Sequence, residues 1–203
     1  MRGREAFPVL TEVERAQSLR DTLANAPDGG AVWVFGYGSL MWNPEFTHVD
    51  RRVGTVQGYR RRFCVLSARA RGTPENPGLG LGLQQEHGEC RGIVYQLDGG
   101  YLDGDLAALW KREMSSGIYQ PRWLPVETDA GEVTAIAFVV DRGHLQYAGD
   151  LSADEQAAII HRAVGSYGPS RDYLARTIIE LTAIGVSEPD FETLLARVDA
   201  RAK

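Results

Sequence analysis

Val32-Trp33-Val34-Phe35 is a run of β-branched and aromatic side chains that ends abruptly in Gly36-Tyr37-Gly38-Ser39. Such a run favours a short buried strand. Two glycines around a tyrosine then let the backbone turn sharply and let another group approach the main chain closely. Amides without a Cβ shield suit an anion or a developing oxyanion, although the same residues also suit a plain strand-to-loop turn. Ser39 lacks the Gly-x-Ser-x-Gly elbow of a nucleophilic serine. The Gly-Lys-Ser/Thr of a phosphate loop is missing too. These residues define a candidate small-anion loop and nothing narrower.

A chain of 203 residues suits one domain with a core large enough to need no staples. With 43% hydrophobic and 24% charged residues, the composition is that of a globular protein. The net charge of −5 argues against a nucleic-acid partner. No apolar run approaches the roughly 20 residues of a membrane span. Met1 to Glu5 carries basic residues without the apolar stretch of a secretory signal. Cys64 and Cys90 lie in strand-like segments and read as buried, reduced thiols of a cytoplasmic protein, a disulfide between them being the lesser alternative. His48, His87, His144 and His161 are dispersed without metal-ligand spacing, so neither a metal nor a serine triad is expected.

Thr11-x-x-Glu14 is a capping box opening a helix over residues 11–25, with Val13, Ala16, Leu19 and Leu23 as its apolar stripe and Asp28-Gly29-Gly30 after it. Arg51-Arg52 and Arg60-Arg61-Arg62 precede a strand at Phe63–Leu66. Arginines of this kind can fork onto a carboxylate; more commonly they line the solvated edge of a strand. Ser67 to Gly78 is too rich in Gly and Pro for regular structure, and long loops of this sort often form rims or lids. Gly78 to Gly82 and Ile93 to Leu97 read as strands. Tyr119–Val126 and Val133–Val140 make a hairpin across Thr128–Gly131. Three helices follow. The first is capped by Ser152-x-x-Glu155, with Ile160, Ala163, Val164 and Tyr167 on one face. The second starts at Pro169-Ser170 and stops at Gly185, and the third carries Phe191, Leu194, Leu195 and Val198 inward.

The most informative local pattern is a helix over about residues 102–114. Leu106, Leu109 and Trp110 stand at i, i+3 and i+4, and position i+7 is Glu113. A carboxylate thus occupies a place where the period asks for a leucine. Lys111 and Arg112 point to other faces, so neither is expected as its partner. Burial without a partner raises a carboxylate pKa, which suits general acid–base work near neutral pH. A helix-end glutamate bent into solvent, or paired with an arginine from elsewhere, fits the same pattern.

Taken together, the motifs resemble those of the ChaC-type γ-glutamylcyclotransferases, which act on glutathione. The matching residues are Trp33-Val-Phe-Gly-Tyr-Gly-Ser-Leu40 with Trp42-Asn43-Pro44, the Arg71–Gly78 loop, Arg112-Glu113-Met114 before Tyr119, and Gly168-Pro169-Ser170 ahead of Tyr173-Leu174. They fall in family order over roughly residues 31–185. One departure is the isoleucine of Gly117-Ile118-Tyr119, where relatives commonly carry a smaller residue.

The resemblance implies an α+β fold, a small, mostly antiparallel closed sheet or barrel with surrounding helices. It divides the chain into an N-terminal helical extension (1–30) and a catalytic domain (31–203). It implies that Val34, Phe35, Gly36, Tyr37, Gly38, Ser39 and Leu40 bind the γ-glutamyl group through main-chain N–H groups, with Tyr119, Tyr147 and Tyr173 also near the substrate. Tyr147 and Tyr173 read equally as core aromatics. Glu113 becomes the catalytic acid/base of a cofactor-free cleavage of glutathione to 5-oxoproline and Cys-Gly. Alternatives are a cyclotransferase for other γ-glutamyl amines or dipeptides, a non-catalytic γ-glutamyl-binding module, and a thiol-dependent enzyme using Cys64 or Cys90. Arg69 and Arg71 are candidates for the glycine carboxylate.

Overall fold

The computed structural model describes residues 7–27 and 30–201. The basic stretch Met1 to Glu5, and Asp28 and Gly29 of the expected helix stop, lie outside them. The chain divides into two compact units. One comprises Pro8–Arg61 with Leu83–Asp141, and the other is built from Arg62–Gly82 and the chain from Arg142 onward.

The first unit holds the opening strand. β1 (Trp33–Gly36) pairs antiparallel with β3 (Gly78–Leu97), Val34 opposite Tyr95, and parallel with β5 (Gly131–Val140), Val34 opposite Ile136. A strand flanked on both sides can be apolar throughout, and Val34 and Phe35 are fully buried. Truncating Phe35 to alanine would cost about 3–5 kcal/mol. The order β1-β3-β2-β4-β5 closes into a barrel, with β2 (His48–Ser67) paired antiparallel to β4 (Tyr119–Thr128), and β4 antiparallel to β5. A closed sheet leaves no bare edge. With five helices among the described residues, this is the α+β fold expected.

β2 and β3 are far longer than their sequence segments suggest: each runs for 20 residues. Gly58 in β2 and Gly88 in β3 take positive φ, 77° and 139°. Such glycines let a strand bend without ending. Gly58 also shifts the alternation of β2, inward at 54 and 56 but at 59, 61 and 63 beyond it. Residues 85–91 of β3 keep the alternation, and they carry no strand signal because Cys90 is the one apolar residue among them. Within β2, Tyr59, Arg61 and Phe63 are buried while Arg60 and Arg62 are exposed, the period of two expected of a pleated strand. Arg61 is only 4% exposed, so the reading of this arginine run as a solvated edge holds for Arg60 and Arg62 and fails for Arg61.

α1 (Glu12–Ala24) has its expected capping box, but Val13 is 74% exposed. The packed side instead runs through Ser18 and Thr22. Trp110 Nε1 donates to Ser18 Oγ at 3.2 Å, and Trp123 Nε1 donates to the Thr22 carbonyl at 2.8 Å. Two indole N–H groups that need acceptors on burial decide the face of this weakly amphipathic helix.

In the second unit, the loop after Ser67 is held by its own glycines. A Cβ on Gly72 would lie 2.2 Å from the Gly78 nitrogen, and one on Gly165 would lie 2.4 Å from the Gly72 nitrogen. α3 (Ala153–Arg162) ends earlier than its apolar pattern predicts. Ala163 is extended, and Val164 and Tyr167, expected on the inner face, are 56% and 73% exposed. They belong to a small hairpin of β6 (Val164–Gly165) and β7 (Gly168–Pro169) whose Ser166 and Tyr167 amides donate to the Arg69 and Ala70 carbonyls. Main-chain bonds to the loop outweigh the apolar period there. α4 (Ser170–Ala183) and α5 (Pro189–Ala200) follow, with Phe63 packed edge-on against Tyr173 and Phe191.

Candidate active site

α2 (Leu102–Glu113) begins with Asp103 and Asp105 and ends with Lys111 and Arg112, charges that complement the helix dipole. Leu106, Leu109 and Trp110 are at most 3% exposed, and Trp110 packs at 68° against Phe138. Glu113 closes the same stripe at the last helical position, its side chain 17% exposed. The carboxylate at the core position is therefore largely removed from water, as the period requires.

The expectation that Arg112 would not partner it is overturned. Arg112 Nε lies 3.1 Å from Glu113 Oε1. Its NH2 donates to Ser39 Oγ at 2.9 Å, and its NH1 donates to the Asn43 carbonyl at 2.6 Å and to Glu45 Oε2 at 3.1 Å. Helical spacing fixes where an arginine's Cβ points, but its long flexible stem can carry the guanidinium around a helix end. Glu45 has a positive φ of 58°, and its Oε1 accepts from Asn43 Nδ2 at 2.9 Å. Burial pushes the Glu113 carboxyl above the usual range. The Arg112 charge opposes this, and the nearby Glu45 carboxylate adds to it.

Arg112 thereby ties the end of α2 to the two-glycine turn. A Cβ on Gly36 would lie 2.8 Å from Leu40 Cβ, and one on Gly92 would lie 2.4 Å from the Gly36 carbonyl oxygen, so both positions exclude side chains. Tyr37 points its hydroxyl away to the Phe138 carbonyl at 2.7 Å. Tyr95 donates to the carbonyls of Leu40 and Met41 at 3.1 and 2.9 Å. Ser39–Met41 forms a single 3-10 turn whose first bond runs from the Met41 amide to the Gly38 carbonyl. The amides of Gly38, Ser39 and Leu40 stand ahead of it, where a helical turn leaves its donors unused.

The structure brings Glu113, Ser39 and the turn together. Val34 and Phe35 are wholly buried, and their main chain is paired to β3 and, at Val34, also to β5, so neither offers surface to a ligand. Tyr119 opens β4 opposite Val140. Tyr147 and Tyr173 belong to the second unit. Tyr147 bridges to Val65 in antiparallel fashion, has the Arg142 guanidinium 5.7 Å from its ring centroid, and has its phenol pKa raised by burial. Tyr173 is 7% exposed, with the Arg71 guanidinium 4.8 Å from its ring. Arg71 also sits 6.0 Å from the Tyr167 ring and donates to the Tyr167 carbonyl. Cys64 and Cys90 are both buried and are not joined in a disulfide. Among the described residues no group of three or more His, Cys, Asp and Glu side chains is placed to hold a metal.

Sequence reasoning missed Arg112, Glu45 and Tyr95 as the scaffold of the site. Arg112 stood only as a member of the Arg112-Glu113-Met114 motif, Tyr95 only as a residue of an alternating strand, and Glu45 carried no signal.

A family model described as "ChaC-like protein" matches residues 32–201. The glutathione-specific gamma-glutamylcyclotransferase of Escherichia coli (strain K12) is 41% identical over 186 residues, covering 91% of this chain and 80% of that protein. Glutathione-specific gamma-glutamylcyclotransferase 1 of Homo sapiens is 34% identical over 180 residues, covering 87% and 81%. The crystal structure of a gamma-glutamyl cyclotransferase specific to glutathione from yeast shares the fold with a TM-score of 0.76, at 20% identity, covering 85% of this chain and 97% of that one. The matched residues reach from the opening strand to the last helix, and this chain belongs to the ChaC-like protein family.

Proposed function

We propose that this protein is a γ-glutamylcyclotransferase that cleaves glutathione to 5-oxoproline and Cys-Gly, with Glu113 as its general acid/base. The observation that carries the reading is the buried Glu113 carboxyl joined through Arg112 to Ser39 of the two-glycine turn. Its relatives' names supply the substrate.

The nucleophile is the substrate's own α-amine, so the step needs neither water nor a cofactor. The amine nitrogen forms a bond to the γ-carbonyl carbon, closing a five-membered ring, and the bond from that carbon to the cysteine nitrogen breaks. Holding the chain folded back on itself supplies much of the acceleration. The amine is an ammonium at neutral pH and must lose a proton before attack. Glu113, with its raised pKa, takes that proton and returns one to the departing cysteine nitrogen. The N–H groups of the Gly36–Leu40 turn anchor the γ-glutamyl group and stabilise the tetrahedral oxyanion. Val34, Phe35, Tyr119, Tyr147 and Tyr173 remain the proposed surroundings of the substrate, and residues 31–203 the catalytic region behind a helical extension.

Incubating the purified protein with glutathione tests this directly. Stoichiometric 5-oxoproline and Cys-Gly are expected. Turnover of other γ-glutamyl amines without turnover of glutathione would redirect the substrate, and no turnover of any γ-glutamyl compound would overturn the reading.

A further inference from the structure

Arg61 is a buried cation that the mechanism so far leaves unused. It sits on β2 between Arg60 and Arg62, at the inward position of the pleat, and is 4% exposed. Burying a guanidinium is expensive unless its donors are satisfied, and an apolar side chain would fill the same space at less cost. Its NH1 donates to the Tyr37 carbonyl at 2.8 Å and lies 3.9 Å from Met41 Sδ, while its NH2 donates to the Arg91 carbonyl. The rigid fork thus bridges the main chain of the turn to that of β3, next to Gly92, whose missing side chain lets Gly36 approach.

The Tyr37 carbonyl and the Gly38 N–H belong to one planar peptide, and in the trans form they point in opposite directions. Fixing the oxygen on Arg61 therefore fixes where the Gly38 hydrogen points. A charge-assisted bond to the carbonyl also polarises the peptide and makes its N–H a stronger donor. We propose that Arg61 is a positioning residue that orients and polarises the Gly38 N–H as the donor for the γ-carbonyl oxygen when it becomes an oxyanion. This rests on the cyclotransferase reading above. Arg61 touches no reacting atom. Its contribution grows only as the oxyanion forms, so it belongs to kcat rather than to KM.

The test is steady-state cleavage of glutathione by Arg61→Met, with Arg61→Lys as a second variant that keeps a buried cation. Arg61→Met is expected to lower kcat roughly 30-fold, a weakened rather than deleted oxyanion donor, with KM within about twofold of wild type. Arg61→Lys, whose ammonium lacks the planar fork, is expected to fall between the two. Should Arg61→Met fail to fold, Arg61→Ala assayed with added methylguanidinium replaces it, and recovery of kcat with the cation is expected. Unchanged kcat, a change confined to KM, or no recovery with the cation would overturn the proposal. Wild-type turnover together with an inactive Glu113→Gln and a fully active Arg61→Met would sink this inference alone. An active Glu113→Gln would sink the reading beneath it.

Discussion

The C-terminal end of α2 and the middle of β2 each place a charged side chain where the local period calls for an apolar one. Glu113 closes a helical stripe of Leu106, Leu109 and Trp110, and Arg61 stands between Tyr59 and Phe63 on the inward side of a strand. The two charges are handled in opposite ways. Glu113 is a small acid held against one guanidinium, and burial leaves it easier to protonate than an ordinary glutamate. Arg61 is a permanent cation whose two terminal nitrogens donate to main-chain carbonyls. On the proposed roles, the group that would exchange protons is left with a raised pKa, whereas the group that would hold geometry is tied to fixed dipoles.

Substitutions separate the two roles, and the largest effect belongs to the acid. Glu113→Gln keeps an acceptor for Arg112 and is expected to lower kcat for glutathione by roughly 10²–10⁴-fold. A rate within a factor of two of wild type would erase the contrast. The same variant sharpens it in stability. Because the folded carboxyl titrates higher than the unfolded one, ionised Glu113 works against the fold above its folded pKa, while the protonated form below the unfolded pKa does not. Glu113→Gln should therefore melt above wild type at pH 8, and the gap should shrink as the pH falls toward 4. Thermal melts at both values check the sign.

Next comes the residue that joins the acid to the turn. Arg112→Gln removes the cation that holds the Glu113 pKa down, so the acid limb of kcat/KM should move to higher pH. Losing the charge-assisted bond to Ser39 should add a drop of roughly tenfold at neutral pH. Glu45→Gln works the other way. It removes a like charge, so the limb should move to lower pH, with kcat changed by less than about threefold because Glu45 is exposed. The pH–rate profiles of the two variants must therefore shift in opposite directions. The smallest effect is expected at the neighbours of Arg61: Arg60→Met and Arg62→Met should leave kcat unchanged and alter stability by no more than about 0.5 kcal/mol.

Sequence period made Glu113 legible and hid Arg61, and the reason is physical. A helical stripe gives three apolar markers on one face before the acid, so the exception is visible. In Arg60-Arg61-Arg62 all three residues look alike, and only the pleat tells which one faces inward. The two-glycine turn, the β4–β5 hairpin and the capping boxes were readable because each depends on residues close in sequence. The full length of β2 and β3 was not, since Gly58 shifts the alternation of β2, residues 84–92 of β3 are almost wholly polar, and pairing partners lie far along the chain. Arg112 escaped because side-chain reach, rather than helical direction, decides its contacts. The early end of α3 was equally invisible, being fixed by hydrogen bonds from residues 166 and 167 to the distant loop at 69 and 70.

The proposed chemistry requires a Glu113 carboxyl that titrates above an ordinary glutamate and carries the proton of the reaction. Carbon-13 NMR of the side-chain carboxyl, assigned by its absence in Glu113→Gln and followed against pH, measures this directly. A midpoint above the usual glutamate value, coinciding with the acid limb of kcat/KM, is expected. A midpoint at or below that of a solvent-exposed glutamate, or one unrelated to the rate profile, would contradict the proposed chemistry.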